Sequence, residues 1–257
     1  MSESHAGGGA WIRRFHPSPD AGVRLVCFPH AGGSAGFFHR LSRDLAPGAE
    51  VLAVQYPGRQ DRRGEPNIPD LAGLADRAAE ALRPALSGTA PFALFGHSMG
   101  ATLAYEVARR LRSDGRGAAA LFVSARTAPH RSVDHGRHEL SDRELVEDVL
   151  ALGGTAAGVL DDPELLEMVL PSIRSDYRAV GSYRHAPGPL LDCAVHAFTG
   201  VSDPRVPVAE LRHWAECTEG PFGLEVFSGG HFYLVERHEE FTRSLAGCLK
   251  QLASASG

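Results

Sequence analysis

FALFGHSMG, residues 92–100, sets a short apolar run against a serine flanked by glycines. Phe92, Ala93, Leu94 and Phe95 lie between Pro91 and Gly96, the length and boundary of a buried strand. Behind the serine, MGATLAYEVARRLR carries Leu103, Val107 and Leu111 at helical spacing. Ser98 therefore falls at a strand-to-helix corner in the pattern G-x-S-x-G. A serine hydroxyl attacks only when it is exposed, held rigidly and offered a base, and a tight corner lifts it off the sheet edge. Glycines on both sides let the backbone approach closely there.

Outward from this corner, strand-like runs alternate with helical ones. VRLVCFP (Val23 to Pro29), VLAVQYP (Val51 to Pro57), ALFVSA (Ala120 to Ala125), CAVHAFTG (Cys193 to Gly200) and LEVFSGG (Leu224 to Gly230) read as strands. Asp70 is placed to cap a helix through Leu71, Leu74, Ala78 and Leu82, and a last helix runs near Glu236 to Leu252. Buried strands alternating with amphipathic helices predict a mostly parallel sheet with helices on both faces. From Arg126 to Leu191 no strand is evident. Ser141 with Glu144 forms a capping box there, and Asp162 followed by Pro163 starts another helix. This interval reads as a helical lid leaving the sheet on the serine's side. The expectation is one domain over residues 1–257, with the lid at about 126–191 and disordered tails at 1–12 and 253–257.

Composition excludes several classes. At 43% hydrophobic and 22% charged, the 257 residues suit a globular domain with a sizeable core. The net charge of −5 opposes nucleic-acid binding, which needs a basic face. No apolar run approaches the length of a membrane span, and MSESHAGGGAW is not a signal peptide. The scattered Cys27, Cys193, Cys217 and Cys248 read as thiols of a reducing, cytoplasmic compartment. His135 and His138 form a lone H-x-x-H without further ligands, so no metal site is expected.

An attacking serine needs a base, an acid to orient that base, and donors for the oxyanion. The chain order expected for such a sheet is Ser, acid, His. In SGGHFYLVERH, His231 sits in a glycine turn between the last strand and the last helix. In FTGVSDPRVP, Asp203 follows the strand that ends at Gly200. Asp192, the competing acid, precedes that strand and belongs to the opposite edge. His97 points away from its neighbour Ser98 and reads as packing. Oxyanion donors are expected from the Met99 N–H and from the Ala31 N–H in CFPHAGGSAGFF, with Ser34 able to cap the next helix.

Together, FPHAGGSAGFF, VQYPGRQDRR, FGHSMGATLAYEVARRL, ALGGTAAGVLDDPELLEMVLPSIRSDY, GVSDPRVP and GGHFYL resemble the type II thioesterases of polyketide and nonribosomal peptide pathways. The resemblance runs from about Phe15 to Leu252. It implies an α/β-hydrolase fold with Ser98 as nucleophile, Asp203 as acid, His231 as base, and Ala31 and Met99 as oxyanion donors. It also implies hydrolysis of aberrant or stalled acyl groups from the phosphopantetheine arm of acyl or peptidyl carrier proteins, by a monomer with no cofactor of its own. A product-releasing thioesterase, an acyltransferase, a small-molecule esterase on the same triad and a non-catalytic carrier-binding module are the alternatives. Carrier proteins of such pathways are acidic, so a net negative chain needs a local basic patch, for which Arg59, Arg62 and Arg63 are candidates. Inward-facing Leu145, Val149, Leu166, Val169 and Ile173 would wall an acyl chamber, with Leu152 to Gly158 as a hinge.

Overall fold

The computed structural model describes residues 10–132, 136–153 and 162–255. Its centre is a seven-stranded sheet in the order β1-β3-β2-β4-β5-β6-β7. The strands are β1 (Ile12–Arg13), β2 (Arg24–Phe28), β3 (Glu50–Val54), β4 (Phe92–His97), β5 (Ala120–Ser124), β6 (Ala194–Gly200) and β7 (Phe222–Phe227). Only β1 runs antiparallel, against β3; the other pairings are parallel. The main helices are α1 (His39–Leu45), α2 (Leu71–Ala85), α3 (Met99–Ser113), α4 (Asp142–Leu150), α5 (Pro163–Ser182) and α6 (His238–Ala255).

Alternation along each strand divides the core in two. Val26, Phe28, Leu94, Leu121 and Val123 pack on the α2–α3 face, while Leu25, Cys27, Phe95 and Phe122 pack on the α1–α6 face. Strands buried on both faces are the mark of a parallel sheet covered by helices. The register pairs Phe28 with Gly96, His97 with Ser124, and Gly200 with Phe227. It therefore brings the C-terminal ends of β2, β4, β5, β6 and β7 to one edge, where ligands bind in such sheets.

Both helix caps expected in the 126–191 interval form. Ser141 and Glu144 make the reciprocal capping box of α4, and the Asp162 carboxylate accepts from the Glu164 and Leu165 N–H groups at the start of α5. The Asp70 carboxylate likewise accepts from Ala72 and Gly73 at the start of α2. Leu145 and Ile173 centre a small core that α4 and α5 share. Among the described residues no helix is long and apolar enough to cross a membrane.

Three expectations need correction. Residues 11 and 12, expected to belong to a tail, are structured: Trp11 and Ile12 are buried, and Ile12 pairs with Val54 in β1. At the other end α6 continues to Ala255, past the boundary drawn at residue 253. Ser34 precedes a single 3-10 turn, Ala35–Phe38, but its hydroxyl makes no cap bond; the Ala35 N–H donates instead to Gln55 Oε1 at 2.9 Å.

Candidate active site

Ser98 is held at φ 55°, ψ −120°, a backbone conformation costly for any residue with a Cβ. The turn can form because its flanking residues are glycines. A Cβ on Gly96 would lie 2.0 Å from the Gly100 carbonyl oxygen, and one on Gly100 would lie 2.1 Å from that of Phe28. The Ser98 N–H donates to the Ser124 carbonyl at 2.8 Å, which fixes the corner to β5. Met99 is the first residue of α3, so its N–H lies among those that the helix itself leaves unpaired.

His231 enters from the loop after β7. Its Nδ1 lies 2.8 Å from Asp203 Oδ2, and the Asp203 side chain has 0% exposure. Asp203 Oδ1 accepts the Arg205 N–H at 2.8 Å, so both carboxylate oxygens are engaged. His231 Nε2 is buried and has no hydrogen-bond partner among the described residues. Asp192 lies far from this arrangement in role and place: it is exposed, precedes β6, and pairs with Arg112 Nε at 2.9 Å.

Two further imidazoles flank His231. His97 is fully buried, with Nδ1 2.9 Å from Ser124 Oγ, and its ring centre lies 5.1 Å from that of His231. Burial, with His231 and His30 nearby, holds His97 well below the usual histidine range. Burial, with His231 and Arg59, lowers His30 to about 3. Both rings are therefore neutral at pH 7 and are poor bases. His97 is a packing residue, as its place beside Ser98 suggests.

Ser98, Met99, Ala31 and His231 line one cavity of about 810 Å³. Of the five lid residues expected to face inward, Val149, Val169 and Ile173 line it. Leu145 and Leu166 do not; they pack within the α4–α5 core. The apolar stripe of α4 and α5 is wider than the cavity, and only one edge of it faces inward. Gly153, at φ 75°, also lines the cavity, whereas residues 154–158 of the proposed hinge lie outside the described residues, as does His135.

The loop that carries Ala31 is held by residues that sequence reasoning assigned elsewhere or missed. The Gly32 N–H donates to Asp176 Oδ2 at 2.7 Å, and the Gly33 N–H to the His30 carbonyl at 2.9 Å. Arg59 donates from both terminal nitrogens to the Asp176 carboxylate, at 2.7 and 3.0 Å, and to the Gly33 carbonyl at 3.2 Å. Arg59 is thus buried, and Asp176 outweighs the effect of burial and raises its pKa. Arg62 is buried as well, 4.5 Å above the Trp11 ring and paired with Glu65. Neither can serve a docking surface; of the three candidate arginines only Arg63 is exposed. The signal for Asp176 was present in the sequence. It falls between Ile173, Tyr177 and Val180 on the apolar face of α5, where a carboxylate needs a cation.

Away from the cavity, His130, His213 and Glu216 bring possible ligand atoms within 4.8 Å of one another. Glu216 is already engaged by both imidazoles, at 3.0 and 2.7 Å, so the group is satisfied without an ion.

A family model described as Thioesterase domain matches residues 23–249. The chain is 47% identical over 239 residues to the probable cadicidin biosynthesis thioesterase of Streptomyces griseus, covering 93% of this chain and 66% of that protein. It is 46% identical over 239 residues to thioesterase PikA5 of Streptomyces venezuelae, covering 93% of this chain and 85% of that one. The solved structure of the type II thioesterase BorB from the borrelidin biosynthetic cluster matches with a TM-score of 0.87 at 50% identity, over 96% of this chain and 100% of that chain.

Proposed function

The chain belongs to the thioesterase domain family, whose fold is that of the α/β hydrolases, and from that premise we propose that it clears misprimed or decarboxylated acyl groups from the phosphopantetheine arm of acyl or peptidyl carrier proteins. The arm belongs to the substrate, and the enzyme's own residues perform the chemistry. His231 Nε2 takes the proton of Ser98 Oγ as the oxygen attacks the thioester carbonyl. The Ala31 and Met99 N–H groups stabilise the oxyanion. Collapse of the tetrahedral intermediate breaks the C–S bond, and His231 returns the proton to the leaving thiol. Water then attacks the acyl-Ser98 ester by the same route, releasing the carboxylic acid and restoring the hydroxyl.

The observation that carries this reading is the buried Asp203–His231 pair, 2.8 Å apart, in a site whose cavity wall includes the strained Ser98. The apolar stretch of that wall suits short acyl chains. One methylene in such a pocket is worth only about 1–3 kcal/mol, so walls of this kind accept many acyl groups. Similar solved structures from NRPS/PKS pathways, YbtT at 25% and ClbQ at 26% identity, support a place beside a polyketide or nonribosomal peptide synthase.

The test is hydrolysis of acetyl, propionyl, butyryl and full-length acyl groups on one carrier, beside matching free thioesters, with Ser98→Ala as control. Broad activity on the short chains is expected, and loss of about a millionfold in the variant. A preference of about a thousandfold for the full-length chain, some 4 kcal/mol, would point to product release. A preference for the free thioesters over the carrier-bound ones would point to a small-molecule hydrolase. Ser98→Ala within about tenfold of wild type would remove Ser98 as the nucleophile.

A further inference from the structure

We propose that Asp176 is a positioning residue that ties α5 to the oxyanion loop, so that the placement of this lid helix sets the placement of the Ala31 N–H. The inference rests on the reading of Ser98 as nucleophile and Ala31 as oxyanion donor. Its physical basis is a short chain of contacts built on two buried side chains. Asp176 is 1% exposed and Arg59 8%. One carboxylate oxygen accepts both the Gly32 N–H and an Arg59 N–H, each at 2.7 Å. Gly32 is the residue next to Ala31, so the peptide that follows the donor is held directly by the helix.

The contact is steric as well as polar. Gly32 sits at φ 74°, and a Cβ there would lie 2.6 Å from Ile173 Cγ1. The loop and α5 touch without room for a methyl group between them. A second anchor lies one turn earlier, where Ser172 Oγ donates to the Gly58 carbonyl at 2.7 Å. Arg59 completes the clamp from the opposite side by donating to the Gly33 carbonyl at 3.2 Å. The oxyanion loop is therefore gripped between α5 and the segment after β3.

The same turns of α5 meet the substrate space. Ile173, Tyr177 and Val180, spaced four and three residues apart, line the cavity, while Ser172 and Asp176, also four apart, face the body. An acyl group too bulky to lie beneath Ile173 and Tyr177 must displace this part of the helix. That displacement carries Asp176 away from the Gly32 N–H and loosens the loop that aims Ala31. Acyl bulk is then read as slower chemistry in addition to the binding cost of moving the helix. Such a device supplies discrimination that apolar walls alone do not, because a donor moved by about 1 Å can cost on the order of a hundredfold in rate.

The decisive variants are Asp176→Leu and the apolar pair Arg59→Met/Asp176→Leu. Both remove the acceptor of the Gly32 N–H; the first also strands the buried guanidinium, and the second removes that unpaired charge, so that folding is retained. Active sites are counted with a fluorophosphonate, and kcat and KM are measured on a propionyl-carrier. Affinity for an alkyl boronic acid is measured in parallel, since its tetrahedral adduct on Ser98 places an oxygen between the Ala31 and Met99 N–H groups. Per labelled site, kcat should fall about 10- to 100-fold with KM within about threefold, and boronate affinity should fall in step with kcat. In the wild type, kcat itself should decline with acyl bulk. A labelled-site kcat within about threefold of wild type in both variants overturns the proposal. So does a loss confined to KM with boronate affinity retained, or a wild-type series in which bulk raises KM at constant kcat. If the wild type neither labels nor binds boronate, it is the nucleophile assignment that fails, and this outcome is distinct from the others.

Discussion

Replacing Asp203 by asparagine tests the site at its most constrained point, because the structure dictates how the new amide must turn. Asp203 Oδ1 accepts the Arg205 N–H at 2.8 Å, and Oδ2 faces His231 Nδ1 at 2.8 Å. Only an oxygen can satisfy the Arg205 N–H, so the asparagine oxygen occupies the Oδ1 place and its NH₂ faces the imidazole. Nδ1 must then accept, which puts the ring proton on Nε2, the nitrogen required to receive the serine proton. The wrong tautomer in a comparable triad lowers kcat by about 10⁴, some 5.5 kcal/mol at the barrier. The exchange is nearly isosteric and keeps both contacts, so the melting temperature should move little. The assay is steady-state hydrolysis of a propionyl-carrier beside a thermal melt, with Asp192→Asn as the control. Asp192 is exposed and pairs with Arg112, and its variant should match wild type. An Asp203→Asn enzyme within about tenfold of wild type in kcat, or an inactive Asp192→Asn, would refute the assignment of the acid.

His30 should make stability fall on acidification. Its folded-state pKa is lowered from 6.5 to about 3, chiefly by burial, so the unfolded chain binds the extra proton and stability is lost as pH falls below about 6.5. Between pH 7 and pH 5 the loss is about 2 kcal/mol, an upper bound because the ring borders the cavity. Denaturant midpoints of wild type and His30→Phe across this range check it; an equal decline in both would sink the idea. Charge reversal at Arg62 should act on folding, since its side chain is 6% exposed against Trp11 and Glu65. Glu65 is half-exposed, so the loss comes mainly from the buried end: a carboxylate placed there and an unpaired Gln55 carbonyl cost about 1–3 kcal/mol, or roughly 2–12 °C in a domain of this size. An Arg62→Glu protein with an unchanged melting temperature and a raised KM only for carrier-bound substrates would restore the docking role. Arg63→Glu should leave stability unchanged, and a rise in KM confined to carrier substrates would assign docking to that exposed position.

The parts legible in the sequence are those that local periodicity determines. Alternation of Leu25 and Cys27 with Val26 and Phe28 announces a strand buried on both faces, and each group packs on its own side of the sheet. The helix caps at Asp70, Ser141 and Asp162 depend on neighbours two or three residues away, so a sequence can state them. The placement of Asp203 and His231 follows from sheet topology, which fixes the edge at which each loop emerges. Arg59 was misread for the opposite reason. Its partner Asp176 is 117 residues distant, and no local pattern separates a buried arginine from one in a solvated loop. The strand β1 is two residues long, too short for any period to show. Leu145 and Val149 share one apolar stripe, and only the fold decides that the first fills the α4–α5 core while the second meets the cavity.

The same limit explains why three histidines gather at the site when the proposed mechanism uses one. His30 and His97 sit in the sequence as plausibly as His231 does, one beside the oxyanion loop and one inside the serine motif. Their environments separate them. The His30 ring centre lies 4.7 Å from that of Phe37 and 4.9 Å from that of Phe232, edge-on in both cases. His97 stacks near Phe37 and is bound through Ser124, whose Oγ lies 2.8 Å from the Tyr233 hydroxyl. Neither ring has a carboxylate to favour its cation, and burial keeps both neutral. They therefore serve as aromatic wall. His231, whose ring centre is 5.3 Å from that of Phe232, shares the wall but also faces Asp203 at 2.8 Å. In the proposed mechanism His231 takes the serine proton, and the attraction this creates between two buried side chains is stronger than in bulk solvent. A single carboxylate thus selects, in that proposed mechanism, which of three neighbouring imidazoles acts as the base, while burial keeps the other two neutral.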